Sequence, residues 1–242
     1  MRLLLLLLLT KAPATFEDLK TLATQQSYPE LLERAEDVAP ASRNDAWREL
    51  VATAATRGVQ SRKIADDPFV QAARADALIE RFSFLDKQPA FLAARDEAIV
   101  SGLRRCASAN DEACFKLFGR YEKTLSPAGS LAAGKVLRRN GSFAYRPMVL
   151  FARAVGGKDA AACKDPDVAD AVLAALDLPA ESEGAKAGRQ VGYEWCWAAL
   201  QPKLKAAMIG ASSMRLANAC KPMREKKALT ELQDELCKDV DL

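Results

Sequence analysis

The chain has 242 residues, half of them hydrophobic, with 35 basic and 32 acidic side chains and no histidine. The near-balance of charge sets it apart from phosphate-tracking nucleic-acid binders, which carry a basic excess. The apolar content sets it apart from disordered chains and is enough for one large domain or two small ones. Sparse aromatics and abundant Ala and Leu favour helices.

At the N-terminus, Met1-Arg2, the leucine run 3–9 and Ala12-Pro13-Ala14 are the basic start, apolar run and Ala-x-Ala cut site of a secretory signal peptide. Residues 1–14 are therefore expected to be removed on export, with the cut after Ala14. The leucine run falls far short of the ~20 apolar residues a membrane span needs, and no span is expected.

From residue 16, Phe16, Leu19, Leu22 and Ala23 recur at helical spacing over 16–26. Ser27-Tyr28-Pro29-Glu30 has the capping-box pattern for a helix over 30–38, stopped at Ala39-Pro40. A longer helix opens between Ser42 and Asp45, carries Trp47, Leu50, Val51 and Ala54, and ends at Gly58. Asp67-Pro68 starts the next, with Phe69, Ala72, Leu78, Ile79 and Phe82 on its apolar face. After Gln88-Pro89 the pattern resumes through Phe91, Ile99, Leu103 and Cys106. Asn110-Asp111 caps a helix over 112–123. Ser126-Pro127 begins a helix to about Arg139, and a helix over 143–155 follows, with Pro147 near its start. Gly156-Gly157 is a break.

A helical hairpin spans 163–197. Asp165-Pro166 starts its first helix, Leu178-Pro179 breaks it, and the chain re-enters a helix at Trp195-Cys196-Trp197. Pro202 marks a kink or a fresh start. A last hairpin pairs 213–229 with 231–240, with a capping box at Thr230.

The six cysteines are Cys106, Cys114, Cys163, Cys196, Cys220 and Cys237. An even count behind a signal peptide points to disulfides and an oxidising compartment. With histidine absent and no Cys-x-x-Cys spacing, zinc and dithiol-redox sites lack their ligands. Cys106 and Cys114 flank the turn between two helices, Cys163 and Cys196 stand near the outer ends of one hairpin, and Cys220 and Cys237 lie at similar heights on the two helices of the last, so helical geometry favours the sequential pairing: Cys106–Cys114, Cys163–Cys196 and Cys220–Cys237.

Without histidine, Ser-His-Asp and Cys-His catalysis are excluded. Gly129-Ser130-Leu131-Ala132-Ala133-Gly134-Lys135 matches the spacing of a phosphate-binding loop, but Val136 follows the lysine where the metal-binding Ser/Thr belongs, and no strand precedes it. A close-packing helix face accounts for its small residues. Glu181-Ser182 resembles the Glu-Ser dipeptide that marks the acid of soluble lytic transglycosylases, which implies a wall-directed glycosidase using Glu181 or Glu194. General-acid work would require that carboxyl to sit in an apolar pocket. Tyr193, Trp195 and Trp197 crowd one segment. On a helix, positions 193 and 197 share a face and Trp195 points away; one face packs in the core beside Cys196 and the other is free to be exposed, so Tyr193, Trp195 and Trp197 are the candidate interface residues, with the anchor at Trp195 or Trp197.

No segment alternates long enough for a strand. The fold expected is all-α, a multi-helical array of about twelve helices in antiparallel hairpins, either an irregular bundle or a short α-solenoid. The run from Asp165 to Leu176 resembles the second helix of HEAT-type repeats, over that one helix, without a fixed period of ~40–47 residues elsewhere. The expected division is a helical region over 15–155 and a disulfide-braced one over 156–242, within one continuous globular unit. The expected function is an exported, periplasmic or secreted, non-enzymatic module that binds a protein or peptide, with no cofactor, metal or nucleic acid. The alternatives are the glycosidase and a carrier of a small apolar ligand.

Overall fold

The computed structural model describes residues 13–61, 69–140, 146–156, 161–179 and 181–208, together with Cys220 and Cys237. It is all-α. Among the described residues there are eleven α-helices, joined by short 3-10 turns and one π-helical segment. The apolar run 3–9 and the last hairpin lie outside the described residues, apart from its two cysteines. No helix among the described residues is long and apolar enough to cross a membrane.

The chain divides into two compact units, Met1–Ala98 and Ile99–Leu242. The first is built from α1 (Phe16–Thr24), α2 (Tyr28–Arg34), α3 (Asp45–Gln60), α4 (Val70–Arg81) and the start of α5 (Pro89–Ala109). Thr15 caps α1 through a full capping box, in which its hydroxyl accepts from Asp18 N and the Asp18 carboxylate accepts from Thr15 N. The Thr15 backbone N–H, then its hydroxyl, hold the Asp18 carboxyl below the usual carboxylate range. Ala14 is buried against the first core, so the expected cut after it would remove that contact and leave the cap in place.

The capping box expected at Ser27 does not form. Ser27 has ψ 58°, not the extended value that aims a cap hydroxyl at the first turn, and it makes no side-chain cap bond. Asn44 caps α3 by accepting from Trp47 N at 3.1 Å. The core of this unit gathers Leu19, Leu31, Val51, Ala55, Leu85 and Phe91, all fully buried. Arg95, only 5% exposed, ties α5 to α4 through its 2.6 Å ion pair with Asp76.

The second unit holds the rest of α5 and α6 (Glu112–Tyr121), α7 (Pro127–Asn140), α8 (Arg146–Gly156), α9 (Pro166–Ala175), α10 (Glu183–Arg189) and α11 (Trp197–Met208). Asp111 caps α6 and Asp165 caps α9. The Gly156-Gly157 break lies inside this unit. Met148, Phe151 and Val155 of α8 share one hydrophobic core with Val168 and Val172 of α9, so the apolar faces on either side of the break pack together.

Close packing here depends on glycine. A Cβ on Gly134 would lie 2.6 Å from the Phe151 ring, one on Gly188 2.4 Å from the Ala175 Cβ, and one on Gly192 2.8 Å from Val172. All six cysteines are bridged in sequential order, with Cα–Cα distances of 5.3 Å for Cys106–Cys114, 5.2 Å for Cys163–Cys196 and 5.5 Å for Cys220–Cys237. Cys163, Cys196, Cys220 and Cys237 all sit in the same buried core.

The re-entrant helix of the 163–197 hairpin is not one α-helix. After α10 comes a π-helical segment, Gln190–Trp195, which closes with Cys196 N donating to Val191 O at 2.8 Å before α11 begins. Pro202 lies inside α11 and does not restart it.

Candidate interaction surfaces

The aromatic segment splits as helical spacing suggests. Tyr193 and Trp197 pack half-buried against the core, their rings 6.0 Å apart and tilted by 40°. Burial pushes the Tyr193 hydroxyl well above its ordinary pKa, with the nearby Arg189 charge offsetting part of the effect. Trp195, at the end of the π-helical segment, is 40% exposed. Its six-membered ring lies over Gly156, where an added Cβ would stand 3.4 Å from the ring edge. Directly behind it, Cys196 is bridged to Cys163 and buried. A large apolar ring is thus held on an anchored backbone and presented to solvent.

The phosphate-loop spacing lies within α7, which runs unbroken from Pro127 to Asn140. Gly134 faces Phe151 and serves close packing. Lys135 pairs at 2.5 Å with Asp165, the residue that caps α9. Next to it, Arg138 pairs with Asp167 and Asp170 at 3.3 and 3.0 Å. No loop of free backbone N–H groups is present here to cradle a phosphate.

Glu181 and Ser182 act at a helix start. The Ser182 hydroxyl accepts from Ala185 N and caps α10. The Glu181 side chain is 94% exposed, 3.8 Å from Lys186. Glu194 is also exposed. Neither carboxyl stands in an apolar pocket. Among the described residues, no group of three or more Asp, Glu or Cys side chains is placed to hold a metal ion.

A second surface, in the first unit, is one that spacing alone does not reveal. Trp47, Phe82 and Phe84 form an aromatic cluster with centroid separations of 5.7–6.2 Å. The Trp47 indole N–H donates to Ala35 O at 3.2 Å. The Arg43 guanidinium lies over Trp47 at 5.7 Å, and that of Arg81 over Phe82 at 4.9 Å. Both arginines also grip the end of α2 and the chain that follows it. Arg43 donates to Val38 O and Glu36 O, and Arg81 to Glu33 O and the Glu36 carboxylate.

These residues line a cleft of about 330 Å³, and a groove of about 1050 Å³ continues from it along the outer face of α3. Arg48, Ser83 and Phe84 line both. The local signals in the sequence are Arg43 four residues before Trp47, and the run Arg81-Phe82-Ser83-Phe84. Read by hydrophobic period alone, both resolve only into core residues.

No protein-family model, no curated protein and no solved structure matches the chain.

Proposed function

We propose that this chain is an exported, periplasmic or secreted, non-enzymatic α-helical protein that acts as a protein- or peptide-binding module of the cell envelope. The observation that carries the binding role is Trp195, an exposed tryptophan fixed on a disulfide-braced backbone. Tryptophan is the residue type most enriched among interface anchors, and a pre-ordered anchor loses little entropy on binding. Export is supported by the three disulfides, which persist in oxidising compartments, and by the signal-peptide pattern over 1–14.

The glycosidase alternative needs a desolvated glutamate, and the exposure of Glu181 gives it no support. The apolar-carrier alternative needs an enclosed apolar cavity, whereas the groove along α3 is open and carries Arg48, Glu49, Arg57 and Asp86 on its walls.

The test is affinity capture from the native envelope fraction with the wild-type protein and with Trp195→Ala, alongside a wall-lysis assay of Glu181→Gln. A defined partner held by the wild type and released by Trp195→Ala is the expected result. Equal capture by both proteins, or a lytic activity abolished by Glu181→Gln, would overturn the reading.

A further inference from the structure

We propose that the first unit binds the C-terminal carboxylate of a peptide through Arg43, Arg48 and Arg81, with the preceding residues of that peptide lying in the groove along α3. The inference rests on the peptide-binding reading above and assigns it a second surface, separate from Trp195.

The first argument is charge. Three guanidiniums and one carboxylate, Glu36, line the cleft. Asp45 pairs with Arg48 at the rim at 2.9 Å. Three cations against two anions leave one surplus positive charge. That surplus suits a monoanionic carboxylate and would be over-neutralised by a phosphate dianion.

The second argument is order. Arg43 and Arg81 are fixed before any ligand arrives, each stacked on an aromatic ring, Arg43 bonded to the Val38 and Glu36 carbonyls after α2 and Arg81 to the Glu33 carbonyl in the last turn of α2. A guanidinium has five N–H donors, so both keep donors beyond those bonds. Pairing with a carboxylate then forms charge-assisted bonds without freezing a flexible side chain. Trp47, Phe82 and Phe84 line the cleft beside the guanidiniums and give it an apolar wall.

The third argument is continuity. The cleft opens into the groove at Arg48, Ser83 and Phe84. From Asp45 to Gln60 the outer face of α3 runs about 22 Å at a ~1.5 Å rise per residue, the span of roughly six or seven extended residues at ~3.3 Å each. Thr53, Gln60 and Gln88 along it are uncharged donors and acceptors suited to a peptide backbone, and Thr56, whose hydroxyl donates to Ala52 O, adds an acceptor. Acids and bases elsewhere on the groove nearly cancel, which selects against a polyanion.

The test uses the purified full chain and two pools of randomised hexapeptides, identical except that one ends in a free carboxylate and the other in an amide. Retention on the immobilised protein is read by mass spectrometry. Arg48→Gln is the main variant, because its pair with Asp45 is exposed and it holds no backbone carbonyl in the bonds described above. Arg43→Lys is the second. The free-acid pool is expected to be retained about tenfold over the amide pool, the factor for losing a charge-assisted bond, and Arg48→Gln is expected to erase that preference with an unchanged melting curve. Equal retention of the two pools overturns the carboxylate inference and leaves the peptide-binding reading standing. Retention lost in Trp195→Ala but kept in Arg48→Gln also overturns it, by moving the site to the second unit. Elution by inorganic phosphate, with a phosphoserine amide pool retained as well as the free acids, overturns it by making phosphate the bound oxyanion.

Discussion

Gly188 and Ala175 meet so closely that a Cβ on Gly188 would lie 2.4 Å from the Ala175 Cβ, well inside contact distance. Ala175 is buried, and its methyl group has no rotamer with which to retreat. Gly188→Ala must therefore push α10 away from α9, at a cost of about 1–3 kcal/mol from overpacking. Gly58→Ala is the matched control. Its new methyl would meet only Leu32 at 3.8 Å, so the gain in helix propensity should dominate and stabilise the protein by about 0.5–1 kcal/mol. Urea unfolding of the two variants should give opposite signs, and a neutral Gly188→Ala would contradict the packing described.

The three bridges close loops of different length, with sequence separations of 33, 17 and 8 for Cys163–Cys196, Cys220–Cys237 and Cys106–Cys114. By the chain-entropy relation their removal should cost about 3.7, 3.1 and 2.5 kcal/mol in that order. Paired Cys→Ser variants, compared by chemical denaturation, test the ranking. Loss of Cys106–Cys114 as the most damaging change would show that native contacts, and not loop closure, set the contributions.

Tyr193 makes stability depend on alkaline pH. Burial raises its folded-state pKa above the unfolded value of ~10. A raised pKa favours the protonated form in the fold, so the stabilisation is fully present below pH ~10 and is lost as pH rises beyond it. Tyr193→Phe should flatten that alkaline decline in thermal unfolding scans between pH 8 and pH 11. An unchanged decline would place the titrating group elsewhere.

Ser130 is fully buried in α7, and its hydroxyl has no hydrogen-bond partner among the described residues. An unsatisfied buried hydroxyl costs about 1–3 kcal/mol. Ser130→Ala should therefore be neutral or stabilising by up to about 1 kcal/mol once the small lost volume is counted. A clear destabilisation by calorimetry would show that the hydroxyl is satisfied, for instance by an interior water.

The helix starts and the bridges are legible in the chain because their causes are local. Asn44, Asp111 and Asp165 sit where a side-chain acceptor precedes an apolar run, and each caps a helix. Cys106 and Cys114 flank a single turn, and the other two pairs need only an antiparallel hairpin to meet. Ser27 shows the limit, since its capping pattern is present while its backbone takes another conformation.

The π-helical segment was also written in the sequence, in a form that a search for the 3.6 period passes over. Gly184, Gly188, Gly192, Cys196, Leu200 and Leu204 recur at every fourth residue, and all six are buried. Each step of four overshoots a full α-helical turn by roughly 40°, so a straight helix would carry the stripe around to solvent. One wider turn at Gln190–Trp195 resets the phase. Glycine and cysteine count weakly as apolar, which hides the stripe.

The Arg43–Trp47–Arg81 cluster is illegible for a different reason. Its key bonds link residues 45 and 48 positions apart, and several of its acceptors are backbone carbonyls, which every residue carries. Glu181 is the converse case, a suggestive dipeptide whose serine does no more than start a helix.

The central claim, that Trp195 anchors a partner in the envelope, is tested most directly by placing a photoreactive tryptophan analogue, which keeps the indole, at position 195 and irradiating intact cells. Position 183, exposed on α10, serves as the control. A discrete crosslinked product at 195 and none at 183 is the expected result. No product at 195, or the same diffuse products at both positions, would contradict the account.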